Sequence, residues 1–184
     1  MTLSSRSQSA ILLSILSLER VPEMNIPDAL LALESKSIGR DGQPTLGEAL
    51  VLGLDEWRSG NSDRELRLHL LFLAWYCSIE PSHLTGLDRT TIASSELEGI
   101  FQDVYATFAE VISNDAETLY VVGLMAHLSP WLLGEDVPTW EARSKEFQKR
   151  YRELLPDGIS PNRFRGRGAY GDYFAGQAAV EGGY

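Results

Sequence analysis

The stretch Ser62 to Ile79, SDRELRLHLLFLAWYCSI, constrains this chain more than any other. Ser62 with Glu65 three positions later is a capping-box pattern that opens a helix, and from Leu66 onward almost every position is apolar. A helix that is greasy around nearly its whole circumference must be covered on most sides, which places it at the centre of a helical core. Residues 115–128 read the same way, through Leu119, Tyr120, Val121, Val122, Leu124, Met125 and Leu128. The two apolar helices are expected to lie side by side in the middle of the molecule.

Amphipathic segments supply the cover. Ile11, Leu12, Ile15 and Leu16 fall at helical spacing between Ser9 and Arg20, and a second helix is predicted from Pro27 to Ser37 with Ala29, Leu30 and Leu33 on its apolar face. Glycine and proline between residues 39 and 44 mark a loop. Thr45 with Glu48 opens a helix that buries Leu46, Leu50, Leu54 and Trp57. Its interior Gly47 and Gly53 each cost about 1 kcal/mol relative to alanine, so the pattern predicts either a weakened helix or the close approach of another segment. Ser95 with Glu98 begins a helix to about Ser113, striped by Leu97, Ile100, Phe101, Val104 and Phe108. Asn114 with Glu117 opens the second apolar helix, and Thr139 is the expected cap of a last long helix to about Leu155.

No alternating strand pattern interrupts these periods. The fold class is therefore all-α: an irregular single-domain bundle of about seven helices over residues 1–155, followed by an extension over 156–184. Glycines in that extension argue for mostly irregular backbone, while Tyr170, Tyr173 and Phe174 predict that Phe164 to Phe174 lies ordered across the body or a partner, with a frayed end. A chain of 184 residues suits one domain that buries roughly 70% of its unfolded surface.

The net charge of −10 repels phosphate backbones and anionic headgroups, so neither nucleic acid nor a membrane is an expected partner. The apolar run after Arg6 resembles a short leader core, but Glu19, Arg20 and Pro22 follow it with no cleavage pattern. It is read as a first helix, and no apolar run reaches the roughly 18 residues of a bilayer span. A cytoplasmic location is the expectation. Cys77 stands alone, which excludes an internal disulfide and any multi-cysteine metal site.

Chemistry-bearing residues are few. Of the three histidines, His69 and His127 fall in the apolar helices and His83 follows Pro81. Glu80 and His83 have the spacing of a di-metal ligand pair, but the intervening proline breaks the helix that pair requires and no second copy exists. No metal or cofactor is expected, and no supported nucleophile–base set occurs.

Glu96, Asp103 and Glu110 recur every seven residues opposite the apolar stripe and are assigned to an interaction surface. Between Arg89 and Arg143 there are nine acids and no lysine or arginine, whereas the extension gathers Arg163, Arg165 and Arg167. Those arginines are expected to dock on the protein's own acidic helices or on a second subunit, in preference to RNA. The function expected from these features is a non-enzymatic interaction domain that engages a basic partner or its own copy through an acidic helical surface. The rival is an enzyme or small-ligand binder with a pocket between helices 62–79 and 115–128, lined by His69, Tyr120, His127, Arg167 and Tyr170.

Overall fold

The computed structural model describes residues 28–35, 43–109 and 111–181. Among these there are eight α-helices and no strand, packed as a single all-α domain. In chain order they are α1 Asp28–Glu34, α2 Leu46–Arg58, α3 Arg64–Ile79, α4 Ser82–Thr85, α5 Leu97–Ala106, α6 Ala116–Leu128, α7 Val137–Leu154 and α8 Gly168–Glu181. The helix read over 9–20, loop residues 39–42 and the last three residues lie outside the described residues.

Helix starts differ from the capping boxes read in the sequence. Asp63, not Ser62, caps α3, its Oδ1 accepting from the Glu65 N–H at 2.8 Å. Asp115 caps α6 through the Thr118 N–H at 3.2 Å, and Asp136 caps α7 through the Thr139 N–H at 3.0 Å. Thr45 spends its hydroxyl on the Leu33 carbonyl at 2.6 Å, tying α1 to α2. At α3 and α6 the cause is that Glu65 and Glu117, the carboxylates expected to reach back to their own helix ends, are turned into the interior instead.

The helix expected to continue to Ser113 stops at Ala106. There the Thr107 hydroxyl donates to the Val104 carbonyl at 2.6 Å and the Thr107 carbonyl accepts from Arg67 Nη1 at 3.0 Å, giving the backbone alternatives to another helical turn.

Both glycines within α2 mark close approaches. A Cβ on Gly47 would sit 2.8 Å from the backbone of Gly86, and one on Gly53 would sit 2.9 Å from the Leu70 side chain. The second of the two readings, tight packing at these positions, is the one realised.

The largest departures concern the extension and the two apolar helices. The extension is not mostly irregular: a 3₁₀ turn over Pro161–Phe164 leads into α8. Glycine lowers its helix propensity, but Tyr170, Phe174 and Ala178 recur every four residues as one buried stripe, and that burial outweighs propensity. Nor do α3 and α6 pair along their length. α3 packs chiefly on α2 and α5, while α6 packs on α7, where Ser144 Oγ donates to the Gly123 carbonyl at 2.9 Å. Aromatic side chains from the extension stand between the apolar helices. The Phe174 ring lies 6.0 Å from Phe72 of α3 and 6.2 Å from Tyr120 of α6, and Phe164 lies 5.9 Å from Tyr120.

Candidate functional site: a buried ionic cluster and an acidic face

Beside this aromatic wedge, α1, α3, α6 and the extension bring a set of charged side chains together, with Glu34, Glu65, His69, Glu117 and Arg167 buried, Arg64 and Asp115 half-buried, and Arg163 exposed. Glu34 ends α1, one turn after the buried Leu30, and so points inward with it. Glu65 and His69 are four residues apart on α3 and therefore share a face. Glu117 stands in the first turn of α6, where its charge suits the helix dipole. Gly168 opens α8 at φ +60° against Glu34, and Arg167 and Tyr170 flank it.

His69 Nδ1 lies 2.6 Å from Glu34 Oε1, and its Nε2 lies 3.5 Å from Glu65 Oε1. Arg167 Nη2 sits 2.6 Å from both Glu65 Oε2 and Glu117 Oε1, and its Nε donates to Glu65 Oε1. Tyr170 donates its hydroxyl to Glu117 Oε1 at 2.6 Å and its backbone N–H to Glu34 Oε2 at 3.2 Å. Arg64 clasps Asp115 at 2.6 and 2.7 Å and reaches Glu117 at 3.5 Å, and Arg163 Nε is 3.1 Å from Glu117 Oε2. The Arg167 guanidinium also covers the Tyr170 ring, 4.7 Å from its centroid.

Formal charge closes over the cluster. Glu34, Glu65, Asp115 and Glu117 face Arg64, Arg163 and Arg167, and a protonated His69 completes the balance. Burial alone drives His69 towards its neutral form, but the charges and hydrogen bonds of Glu34 and Glu65 outweigh burial and hold its pKa above the ordinary value. Burial likewise opposes ionisation of Glu65, Asp115 and Glu117. The bonds from His69 and Arg167 to Glu65, from Arg64 to Asp115, and the charges of Arg167 and Arg64 beside Glu117 win, so all three lie below the usual carboxylate range. Tyr170 is held well above its ordinary value by burial and by the Glu117 charge, and stays a neutral donor.

Such a cluster has little to offer catalysis. Glu65 and Glu117 are ionised, held by several partners and nearly closed to solvent, which suits holding chain segments in register better than moving protons.

Comparison with protein-family models, curated proteins and solved structures finds no match. The geometry of the chain itself carries the functional argument.

Of the residues named from sequence for a pocket, His69, Arg167 and Tyr170 meet in the cluster. Tyr120 is fully buried one turn beyond Glu117, its ring 5.3 Å from Tyr151 in the aromatic core. His127 is exposed at the far end of α6, about 15 Å along the axis from Glu117. The space between α3 and α6 holds Phe164, Tyr170 and Phe174, where the rival expected a ligand. Cys77 is buried and its thiol is pushed up to about 11 by that burial, so it is no ready nucleophile. Among the described residues no group of three or more His, Cys, Asp or Glu forms a metal-binding set. No described helix is long and apolar enough to cross a membrane.

The acidic segment divides in two. Asp115 and Glu117 point inward, and Glu135 pairs with Arg143 at 2.8 Å. Glu96, Glu98, Asp103, Asp136 and Glu141 are exposed, with Glu96 also accepting from the Ala93 N–H at 2.8 Å where the chain enters α5. Glu110 lies outside the described residues. Arg163 and Arg165 are both exposed, and Arg163 reaches Glu117 of the cluster. The turn over Pro130–Leu132 continues to Gly134, which abuts Glu98 and Gln102 of α5, and Gln102 donates its side-chain amide to the Leu133 carbonyl. On that turn Trp131 is 63% exposed.

Proposed function

We propose that this domain is a non-enzymatic protein-interaction module that presents its acidic α5 face, with Trp131 as an aromatic anchor, to a basic protein partner. The observation that carries it is the exposed indole of Trp131, set on a turn packed against Glu98 in a stretch without lysine or arginine. A large aromatic beside charged residues has the composition of an interface hot spot, and a face whose exposed acids Glu96, Glu98 and Asp103 outnumber the one neighbouring cation, Arg143 paired with Glu135, steers an oppositely charged partner. The filled space between α3 and α6 speaks against the pocket reading.

Affinity capture followed by direct titration with the recovered partner tests this. A basic partner is expected, bound more weakly as salt rises, and Trp131→Ala should weaken it about 30-fold while the melting temperature stays unchanged. Glu98→Lys with Asp103→Lys should slow association. Binding indifferent to Trp131 and to both charge reversals would refute the proposal. Size-exclusion mass shows whether the partner is a second copy.

A further inference from the structure

A cleft of about 300 Å³ opens at the junction of α1, α2, α3 and α8, away from the α5 face. Its walls include the half-buried rings of Tyr76 and Tyr173, with the buried Phe72 ring packed behind them. Phe72 and Tyr76 share one face of α3, four residues apart with ring centroids 5.2 Å from each other. Tyr173 of α8 stands 5.8 Å from Phe72 and 6.0 Å from Tyr76, its plane turned 71° from that of Tyr76. The exposed Asp172 carboxylate stands at the edge of the cleft, while that of Glu34 is turned away into the buried cluster, and no lysine or arginine lines the cleft among the described residues. Glu80 adds negative field nearby: after burial, its charge helps raise both tyrosine phenols, which stay neutral and keep electron-rich faces.

An aromatic-walled recess with an exposed acid at its edge, and no cation among its described lining residues, has a defined complement. Ring faces carry negative potential and attract a large, weakly hydrated cation, while the Asp172 carboxylate at the edge adds Coulombic attraction without demanding a fixed donor geometry. A phosphate or carboxylate ligand is repelled by the same groups. A compact metal ion would find one exposed carboxylate and aromatic walls in place of an oxygen-rich shell.

We propose that this cleft binds an alkylated ammonium group, either as a small free amine or as the methylated lysine side chain of a protein. This site is distinct from the α5 surface and stands whether or not that surface binds a partner.

Titration of the full chain with choline, followed by ¹H–¹⁵N spectra, tests the site. The control is 3,3-dimethylbutan-1-ol, which has the same shape and lacks the charge. Saturable shifts are expected at the amides of Tyr76, Ala169, Asp172 and Tyr173, with the neutral isostere about tenfold weaker. Trp75, 5.4 Å from Tyr173, supplies a second reading through its fluorescence. Tyr173→Leu should weaken choline about tenfold. Asp172 is exposed and its neutralisation leaves the fold intact, so Asp172→Asn should weaken choline about threefold with unchanged melting.

A trimethyl-lysine peptide bound at least tenfold more tightly than choline identifies a protein side chain as the ligand, and the reverse order identifies a free amine. Equal responses to choline and its neutral isostere, or shifts unaffected by both substitutions, overturn the proposal.

Discussion

Arg167 and Glu65, 102 positions apart in the chain, meet as a buried two-pronged pair, with Nη2 2.6 Å from Oε2 and Nε donating to Oε1. The same Nη2 lies 2.6 Å from Glu117 Oε1, so one guanidinium joins α3, α6 and the extension. Arg167→Met leaves two carboxylates buried without their shared partner and should cost about 3–5 kcal/mol in urea denaturation. Arg167→Lys should recover little of this, because an ammonium cannot span both carboxylates with a planar fork. Adding Glu65→Gln and Glu117→Gln to Arg167→Met should restore part of the loss, since the stranded charges are then gone. A cost under about 1 kcal/mol for Arg167→Met would show that the pair contributes little.

The aromatic wedge predicts a second loss. Phe174 is fully buried and touches rings from both apolar helices, so Phe174→Ala should cost about 3–5 kcal/mol through the cavity it leaves. Deleting residues 162–184 removes wedge and arginines together. The shortened chain should bind a hydrophobic dye and melt far below the full chain. Unchanged melting with no dye binding would mean that the core closes without α8.

The cluster also sets a pH window. Glu65, Asp115 and Glu117 have lowered pKa values, so their contribution is present above the unfolded values, about 4.3 for glutamate and about 3.9 for aspartate, and is lost as pH falls through their folded values. His69 has a raised pKa. Its contribution is complete below the unfolded value near 6.5 and is lost as pH rises through the folded value. Facing it are Glu34 from α1, Glu65 from its own helix and Tyr170 from α8. Melting temperature should therefore plateau between about pH 4.5 and 6.5 and fall on either side. In His69→Gln the alkaline fall should vanish on a lower plateau. Parallel alkaline limbs in the two proteins would remove His69 from this role.

The helices and most of their buried faces were legible because apolar periodicity records burial directly. The ionic cluster was not, because its members look like ordinary surface charges in sequence. Glu65 and Glu117 mimicked capping boxes, and only their tertiary partners distinguish the two uses. A weaker signal was present: Glu34 follows Leu30 by four residues, and Glu65 precedes His69 by four, which puts charged groups on faces that also carry core residues. The extension misled through its glycines, although Tyr170, Phe174 and Ala178 already displayed a helical stripe. Pairing of α3 with α6 was inferred from shared greasiness, which states that each must be covered and leaves open by what.

Two glycines of α8 separate backbone requirement from mere tolerance. Gly168 has φ +60°, and a Cβ there would lie 2.6 Å from Glu34 Oε2. Gly168→Ala therefore combines a left-handed strain of about 1 kcal/mol with displacement of a carboxylate that holds His69 and the Tyr170 N–H. A total loss of about 2–4 kcal/mol is expected. Gly176 has no positive φ, and a Cβ there would meet nothing within 4 Å, so Gly176→Ala should add about 0.5–1 kcal/mol by raising helix propensity and narrowing the unfolded ensemble. Paired denaturation curves compare the two directly. If both substitutions shift stability in the same direction, the contact between Gly168 and Glu34 does not govern how the extension enters its helix.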